Sequence, residues 1–182
     1  MIGVLWFETE KRQEKAEEEI RMKESISLKN SRKSVLNVVF WLYIAVMLRI
    51  TVFRSGFGFD HLLSNGRINF TLFEEYIPIL ARGDWFIFIY LFVGNIIWFL
   101  PFGMYFQATG KGKNLRTVVL YGFLFSLTIE SLQYVFGTGC SELDDLVLNS
   151  FGAWIGAILM KGRSAACGRI HEKRKAGRHE KT

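Results

Sequence analysis

Four long apolar blocks alternate with polar, charged segments along this chain. They lie at 35–53, 85–106, 117–136 and 143–160. Each block has about the length of an α-helix that crosses a bilayer, roughly 17–25 residues, whereas a soluble core would show a short amphipathic period. The pattern therefore predicts an all-α, polytopic membrane protein with four transmembrane helices.

Basic residues in the flanks of these blocks predict the orientation, since lysine and arginine resist translocation. The segment before the first block, the connection between the second and third blocks, and the C-terminal tail are rich in them. All three segments should be cytoplasmic. The segment between the first two blocks holds only Arg54, Arg67 and Arg82, and the connection 137–142 holds no lysine or arginine, so both should face outward.

The overall composition favours a membrane partner over a nucleic acid. Half of the 182 residues are hydrophobic, and the formal net charge is +6. Bases next to a membrane are expected from topology and from contact with anionic lipid, and acids are mixed into the N-terminal run. We therefore predict no nucleic-acid partner. We divide the chain into a charged cytoplasmic arm at 1–34, a transmembrane domain at 35–160 and a basic cytoplasmic tail at 161–182.

Two of the predicted helices carry a stripe of polar and small residues at helical spacing. The fourth helix has Asp145, Asn149, Gly152 and Gly156, and the third has Gly122, Ser126, Glu130 and Gln133. The small-xxx-small pair Gly152 and Gly156 lets another helix approach closely in lipid. We expect both stripes to face the interior of the helix bundle, with the polar groups in its outer half.

Carboxylates at membrane depth are the strongest functional signal in the chain. Glu130 lies inside the third block, and Asp144 and Asp145 lie at the start of the fourth. A charge in hydrocarbon costs roughly 3 kcal/mol or more, so such residues usually serve a function or meet an opposite charge. The structural alternative is that the acids, like the amides, only tie helices together.

Three further residues complete the set of binding candidates. Asn95 lies at mid-depth in the second block, ahead of Pro101, and can bond a backbone group that the proline frees or bridge two helices. Arg49 and Arg54 mark the outer end of the first block. We expect one of the two arginines to pair with an intramembrane acid and the other to snorkel.

The outward segment between the first two blocks contains two apolar pieces, 68–73 and 76–80. Both are too short to span a membrane. We expect them to lie at the interface or to dip in over the bundle, which makes this segment a candidate lid.

The cysteines and histidines indicate neither a disulfide nor a metal site. Cys140 and Cys167 fall on opposite sides of the membrane in this topology, so they cannot pair within one chain. His61, His171 and His179 show no ligand spacing. We predict no metal and no cofactor.

Five short motifs occur in a fixed order along the chain. They are Val52-Phe-Arg54, Ile68-Asn69-Phe, Gly94-Asn95 through Pro101-Phe-Gly103, Ile129-Glu130-Ser-Leu-Gln133, and Leu143-Asp144-Asp145-Leu-Val-Leu-Asn149-Ser-Phe-Gly152-Ala. In order and spacing they resemble the VanZ-like family of bacterial membrane proteins, over residues 36–160. The chain differs from the family at Gly139-Cys140-Ser141, where an arginine is common, and at Glu142, which stands in place of an aspartate.

The resemblance implies a protein of the bacterial cytoplasmic membrane. The family is named for a protein that gives low-level resistance to teicoplanin, a lipoglycopeptide that acts on the outer side of that membrane. The polar candidates would then bind an amphiphile: a membrane lipid, a lipid-linked cell-wall precursor or a lipoglycopeptide.

We favour this non-enzymatic role, and the residues leave two alternatives open. One is a membrane enzyme that acts on a lipid-linked substrate, with Glu130, Asp144 and Asp145 as acid, base or metal ligands. The other is a small proton- or ion-coupled transporter in which the acids form a relay. The sequence does not indicate an oligomeric state.

Overall fold

The computed structural model describes residues 2–54, 57–59, 62–63, 66–112 and 114–179. Within these ranges the chain is helical apart from two short strands and the turns. The elements run in the order α1 (Ile2–Thr51), β1 (Arg67–Asn69), α2 (Tyr76–Ala81), α3 (Trp85–Ala108), α4 (Leu115–Phe136), β2 (Cys140–Glu142) and α5 (Leu143–His179).

Four helices are long and apolar enough to cross a membrane. The spans are Lys11–Thr51, Trp85–Ala108, Leu115–Phe136 and Leu143–Ala166. The predicted all-α, polytopic membrane fold is therefore confirmed. The N-terminal arm belongs to α1, and α5 continues past residue 160 to His179. The inside–outside orientation and the boundaries at 34/35 and 160/161 stay predictions.

The chain divides into two compact units, Met1–Trp41 and Leu42–Thr182. The first unit corresponds to the N-terminal part of α1. The second contains the end of α1 and every other element. All candidate site residues belong to the second unit.

Local sequence sets where α4 begins and ends. The Asn114 side chain accepts the Thr117 N–H at 2.8 Å and caps the N-terminus. Gly137 ends the helix in the left-handed conformation, at φ 61°, which glycine adopts without steric cost. After three residues of β2, α5 starts with Asp144 and Asp145 in its first turn, where the helix dipole favours acids.

The small residues of α5 bring its backbone close to α3. A Cβ on Gly152 would collide with the Ile96 carbonyl, and a Cβ on Gly156 would collide with the Leu100 carbonyl. Both glycines are buried. Gly152 and Gly156 therefore lie where the backbones of α5 and α3 approach closely.

Ala153 of α5 sits against both neighbouring helices. Its backbone fills the space beside Gly103 of α3, and its Cβ lies 2.7 Å from the position that a Cβ on Gly122 of α4 would occupy. Helices α3, α4 and α5 therefore pack without room for a side chain at these crossings. This close packing holds the polar residues of the three helices in fixed positions.

The segment between α1 and α3 is tied to the α4–α5 connection by a parallel pair of strands. β1 pairs with β2 in the register Arg67↔Cys140, Ile68↔Ser141 and Asn69↔Glu142. Neither apolar piece of this segment forms a spanning helix; the second forms the six-residue α2. The expectation that these pieces lie at the interface or dip in over the bundle as a lid stays a prediction.

Candidate functional site

A cavity of about 320 Å³ lies at the predicted outer end of the bundle, beside β2. Its walls come from α2, α3, α4, α5 and β2. The lining residues are Arg54, Glu75, Tyr76, Leu91, Asn95, Gln133, Gly139, Cys140, Glu142 and Asp145. We call it the polar cavity. Four of the predicted binding candidates line it: Arg54, Asn95, Gln133 and Asp145.

Asn95 connects three elements in the wall of the polar cavity. Its Nδ2 donates to Oδ1 of Asp145 at 2.5 Å, which joins α3 to α5. It also forms a side-chain hydrogen bond with Tyr76 of α2, whose pKa is raised by burial and by the nearby charge of Asp145. Asn95 therefore links α3 to both α2 and α5. Tyr76 stays protonated at neutral pH.

Two acids from distant parts of the sequence meet at the mouth of the polar cavity. Glu75, at the N-cap of α2, forms a side-chain hydrogen bond with Glu142 at the end of β2. Burial raises the pKa of Glu142 to about 7, and the charges of Glu75 and Asp145 add to the shift. A hydrogen bond between two carboxyl groups requires a proton on one of them. The charge of this pair therefore changes near neutral pH.

Asp144 is the most deeply buried of the acids, with 1% of its surface exposed. Both of its carboxylate oxygens accept the backbone N–H of Phe73, at 2.9 Å each. Phe73 has a left-handed backbone, at φ 60°, which is uncommon for a bulky residue and persists only where the surroundings support it. Asp144 does not line the polar cavity; it fixes the segment between α1 and α3 to α5.

Glu130 also binds backbone groups of the connection. Its Oε2 accepts the Glu142 N–H at 3.0 Å, and its own carbonyl accepts the Ser141 hydroxyl at 2.5 Å. Glu130 is buried behind β2 and is not part of the polar cavity wall. It positions Glu142, which does line that wall.

Asn149 and Ser126 join the two predicted stripes. Asn149 Nδ2 donates to Ser126 Oγ at 2.9 Å, and Ser126 Oγ in turn lies 3.5 Å from the Asp145 carbonyl. Both side chains are buried between α4 and α5. The stripes face the bundle interior as predicted, and Asn149 serves to hold the helices together.

The expectation that Arg49 or Arg54 pairs with an intramembrane acid is wrong for the described residues. The ion pairs in that part of the chain join Arg21 to Glu17, Lys23 to Glu19 and Arg82 to Asp84. Arg49 donates to the Phe53 carbonyl, and Arg54 lines the polar cavity. The buried acids accept hydrogen bonds from backbone N–H groups and an amide instead.

A second, mostly apolar cavity of about 240 Å³ adjoins the polar one. Its lining residues are Ile68, Asn69, Phe70, Leu127, Glu130, Ser131, Tyr134, Val135, Ser141, Glu142, Leu143 and Leu146. We call it the apolar cavity. Glu142 lines both cavities. A polar space and an apolar space therefore meet at one side chain.

Within the described residues, no group of three or more His, Cys, Asp and Glu side chains could hold a metal ion. His61 and the side chains of His171, His179 and Cys167 lie outside the described part of the chain. Cys140 is a free thiol, and burial followed by the charge of Glu142 raises its pKa. It is therefore a poor nucleophile at neutral pH.

Sequence reasoning missed Glu75, Tyr76 and Glu142, which line the polar cavity, and Ser141, which supports it. They come from short segments in which no periodic pattern singles out a residue. The one available signal was the pair Glu74-Glu75 directly before the apolar piece that starts at Tyr76. Acids next to an interfacial apolar piece could have been added to the candidates.

The sequence model of the VanZ/LLP1 family matches residues 40–164. This range contains all residues of both cavities. The chain belongs to the VanZ/LLP1 family. It is also similar to Protein VanZ of Enterococcus faecium, with 28% identity over 64 residues. That stretch is 35% of this chain and 40% of the relative. No solved structure matches significantly.

Proposed function

We propose that this VanZ/LLP1-family protein binds the head group of an amphiphile in the polar cavity. The apolar tail of the ligand would lie along the apolar cavity, at the outer face of the bacterial cytoplasmic membrane. The observation that carries this proposal is that the two cavities meet at Glu142. An amphiphile has the same division into a polar and an apolar part.

The polar cavity offers several different groups to such a head group. Arg54 supplies a cation, Gln133 an amide, and Glu75, Glu142 and Asp145 supply acids. A few polar groups of this kind, held by a rigid scaffold, determine orientation and specificity in ligand sites. The close helix packing around Ala153 and the hydrogen bonds of Asn95 provide that rigidity.

The two side chains at the site that could act as nucleophiles, Ser141 and Cys140, favour binding without catalysis. The Ser141 hydroxyl is buried and donates to the Glu130 carbonyl. The Cys140 thiol has a raised pKa and stays protonated at neutral pH. Nucleophilic catalysis needs a hydroxyl or thiol activated by an adjacent base, and neither residue has that arrangement.

Such binding would contribute to teicoplanin-type resistance in one of two ways. The protein would hold the lipoglycopeptide itself, or it would hold a membrane lipid or lipid-linked cell-wall precursor that the drug needs. In both cases the effect requires an open polar cavity. It also requires a drug that depends on its lipid tail.

The test is drug sensitivity in a teicoplanin-susceptible Gram-positive host that expresses the protein. We expect wild type to raise the minimal inhibitory concentration of teicoplanin, but not that of a glycopeptide without a lipid tail. Asn95→Ala should remove the effect because it releases Asp145 and Tyr76. Leu91→Trp should also remove it, because it fills the polar cavity without deleting a hydrogen bond.

Asp84→Asn is the matched control, since Asp84 is an acid of the same outer segment that pairs with Arg82 and lies outside both cavities. Protein levels in the membrane fraction separate loss of function from loss of folding. Unchanged teicoplanin sensitivity on expression of wild type would refute the resistance role. A full effect from well-expressed Leu91→Trp would refute the polar cavity as the site.

A further inference from the structure

Glu142 places an acid in the wall of a cavity that is otherwise suited to hydrocarbon. It lines both cavities, and its side chain is hydrogen-bonded to Glu75 on the polar side. The apolar cavity is also lined by the large apolar residues Phe70, Leu127 and Leu146. A ligand tail in this cavity would therefore lie against the Glu142 carboxyl group.

The backbone around Glu142 is held by two neighbouring elements. Its N–H donates to Oε2 of Glu130 in α4 at 3.0 Å. Its partner in the parallel strand pair is Asn69 of β1. The preceding residue, Ser141, donates its hydroxyl to the Glu130 carbonyl. These contacts keep Glu142 at the junction of the two cavities.

Titratable side chains from all the neighbouring elements surround Glu142. They are Glu75 and Tyr76 at the start of α2, Glu130 of α4, Cys140 of β2, Asp144 and Asp145 of α5, Arg54 after α1, and Arg67 of β1. Neither arginine is among the described residues that line the apolar cavity. An ionised Glu142 therefore borders this cavity without a cation on that side.

Water around the Glu142 carboxyl group connects its protonation to the filling of the apolar cavity. Burial is the largest reason why the pKa of Glu142 is raised to about 7, since the ionised form needs hydration. A tail in the apolar cavity removes more of this water and so raises the pKa further. Coupling between two ligands is reciprocal, so the proton in turn favours binding of the tail.

We infer that Glu142 is a proton-dependent switch for the apolar cavity: a ligand tail binds while Glu75 and Glu142 share a proton, and it is released when both are ionised. This inference rests on the proposed function and specifies how that site is regulated. Because the pair lies at the predicted outer end of the bundle, the external pH would control occupancy.

The direction of the pH effect follows from the free and bound states. Without a ligand, Glu142 is protonated below about pH 7 and ionised above it. With a tail in place the proton is retained to a higher pH, so binding above pH 7 takes up a proton. Affinity should therefore be highest in acid and fall as the pH rises above 7. Each unit by which the tail raises this pKa lowers the affinity at high pH by about 10-fold.

The test is calorimetric binding of octyl glucoside, an uncharged amphiphile, to the full-length protein in detergent at pH 6 and pH 9. The heat of partition into protein-free micelles is subtracted. We expect wild type to bind this probe at least about 10-fold more tightly at pH 6, roughly 1.4 kcal/mol. At pH 8, titrations in buffers of different ionisation enthalpy should show that binding takes up a proton. Methyl glucoside, which has the same head group and no tail, should show no such uptake.

Two variants of the pair separate the switch from a general effect of pH. In Glu142→Gln the amide donates to Glu75 and does not ionise, so the pair keeps the charge of its protonated form. This variant should bind octyl glucoside equally at both pH values and take up no proton. In Glu75→Gln the amide donates to the Glu142 carboxylate and lowers its pKa, so the fall in affinity should begin at a lower pH.

Glu74→Gln is the matched control, since Glu74 is an exposed acid next to the pair and lines neither cavity. It should keep the pH dependence of wild type. Melting temperatures at both pH values show which variants are folded.

The possible failures are distinguishable. Equal affinity of wild type at pH 6 and pH 9, or release of a proton on binding, would overturn the switch and leave amphiphile binding intact. An unchanged pH dependence in folded Glu142→Gln or Glu75→Gln would overturn the assignment of the switch to this pair. No binding of octyl glucoside or of teicoplanin at either pH would overturn the switch and the proposed function together.

Discussion

Asp144 holds the backbone of Phe73, a residue 71 positions earlier in the chain, with both carboxylate oxygens. This contact joins the segment between α1 and α3 to the first turn of α5. Asp144, one of the three acids that the sequence marks as functional candidates, therefore has a structural task. It supports the left-handed backbone of Phe73, and through it the position of α2 and Glu75.

Replacement of Asp144 should loosen this segment without unfolding the bundle. Asp144→Leu leaves the Phe73 N–H without an acceptor, and we expect a loss of about 2 kcal/mol, as for other hydrogen bonds to a charged group. Hydrogen exchange should become faster at Phe73 and in α2, and it should not change in α4. Asp84→Asn is the control for an acid of the same segment. Slow exchange at Phe73 in Asp144→Leu would contradict this role.

The glycines of α5 should differ sharply in their tolerance of a methyl group. Gly156→Ala places a Cβ against the Leu100 carbonyl, and we expect about 1–3 kcal/mol of destabilisation from overpacking. Gly162→Ala meets nothing within 4 Å in the interior of α5, so it should stabilise the protein by about 0.5–1 kcal/mol through helix propensity. Thermal unfolding in detergent measures both. Equal melting temperatures for the two variants would show that α3 does not approach α5 at Gly156.

The Glu75–Glu142 pair should make stability depend on pH. The pKa of Glu142 is about 7 in the folded protein against 4.5 in its unperturbed state. Between these values the folded protein holds a proton that the unfolded chain has released, so the contribution of Glu142 to stability is largest below pH 4.5 and falls as the pH rises to 7. The other acids around Glu142 are Asp144, Asp145 and Glu130.

Melting temperatures at pH 5, 6, 7 and 8 measure this effect in detergent. Glu142→Gln should flatten the decline between pH 5 and pH 7, since its amide does not ionise. The exposed neighbour Glu74→Gln should keep the wild-type profile. A decline that is unchanged in Glu142→Gln would assign the pH dependence to another group.

The predicted orientation can be tested with single cysteines in a background without Cys140 and Cys167. Thr71 and Ser164 are both exposed, one in the segment between α1 and α3 and the other in the last part of α5. We expect a membrane-impermeant maleimide to label Thr71→Cys in intact cells, and Ser164→Cys only after permeabilisation. The reverse result would place the cavities on the cytoplasmic side and remove the proposed role in binding an external drug.

The transmembrane helices were predictable because backbone polar groups in hydrocarbon must bond to one another, and a long apolar block achieves this as a helix. The predicted start of α3 at Trp85 and the predicted end of α4 at Phe136 agree with the structure. The stripes were predictable for a related reason. Helical spacing alone places Asn149 and Gly152 on one face, and burial of polar groups in lipid requires a partner.

The outer part of the molecule was not predictable to the same degree. A three-residue strand such as β1 has no periodicity, so its pairing with β2 depends on contacts far apart in the sequence. The same holds for the meeting of Glu75 with Glu142. The expectation that Arg49 or Arg54 pairs with an intramembrane acid was wrong because it considered only the charges of side chains. Backbone N–H groups donate to Asp144 and Glu130 instead.

The parallel pairing of β1 with β2 has a consequence for the order in which the protein assembles. Parallel strands cannot be joined by a tight turn, and here two complete membrane spans, α3 and α4, separate them in the chain. β1 emerges from the ribosome long before its partner exists. We expect the cavities to form only after the last span has entered the membrane, so that a chain truncated before α5 would insert its three membrane spans, α1, α3 and α4, and bind nothing.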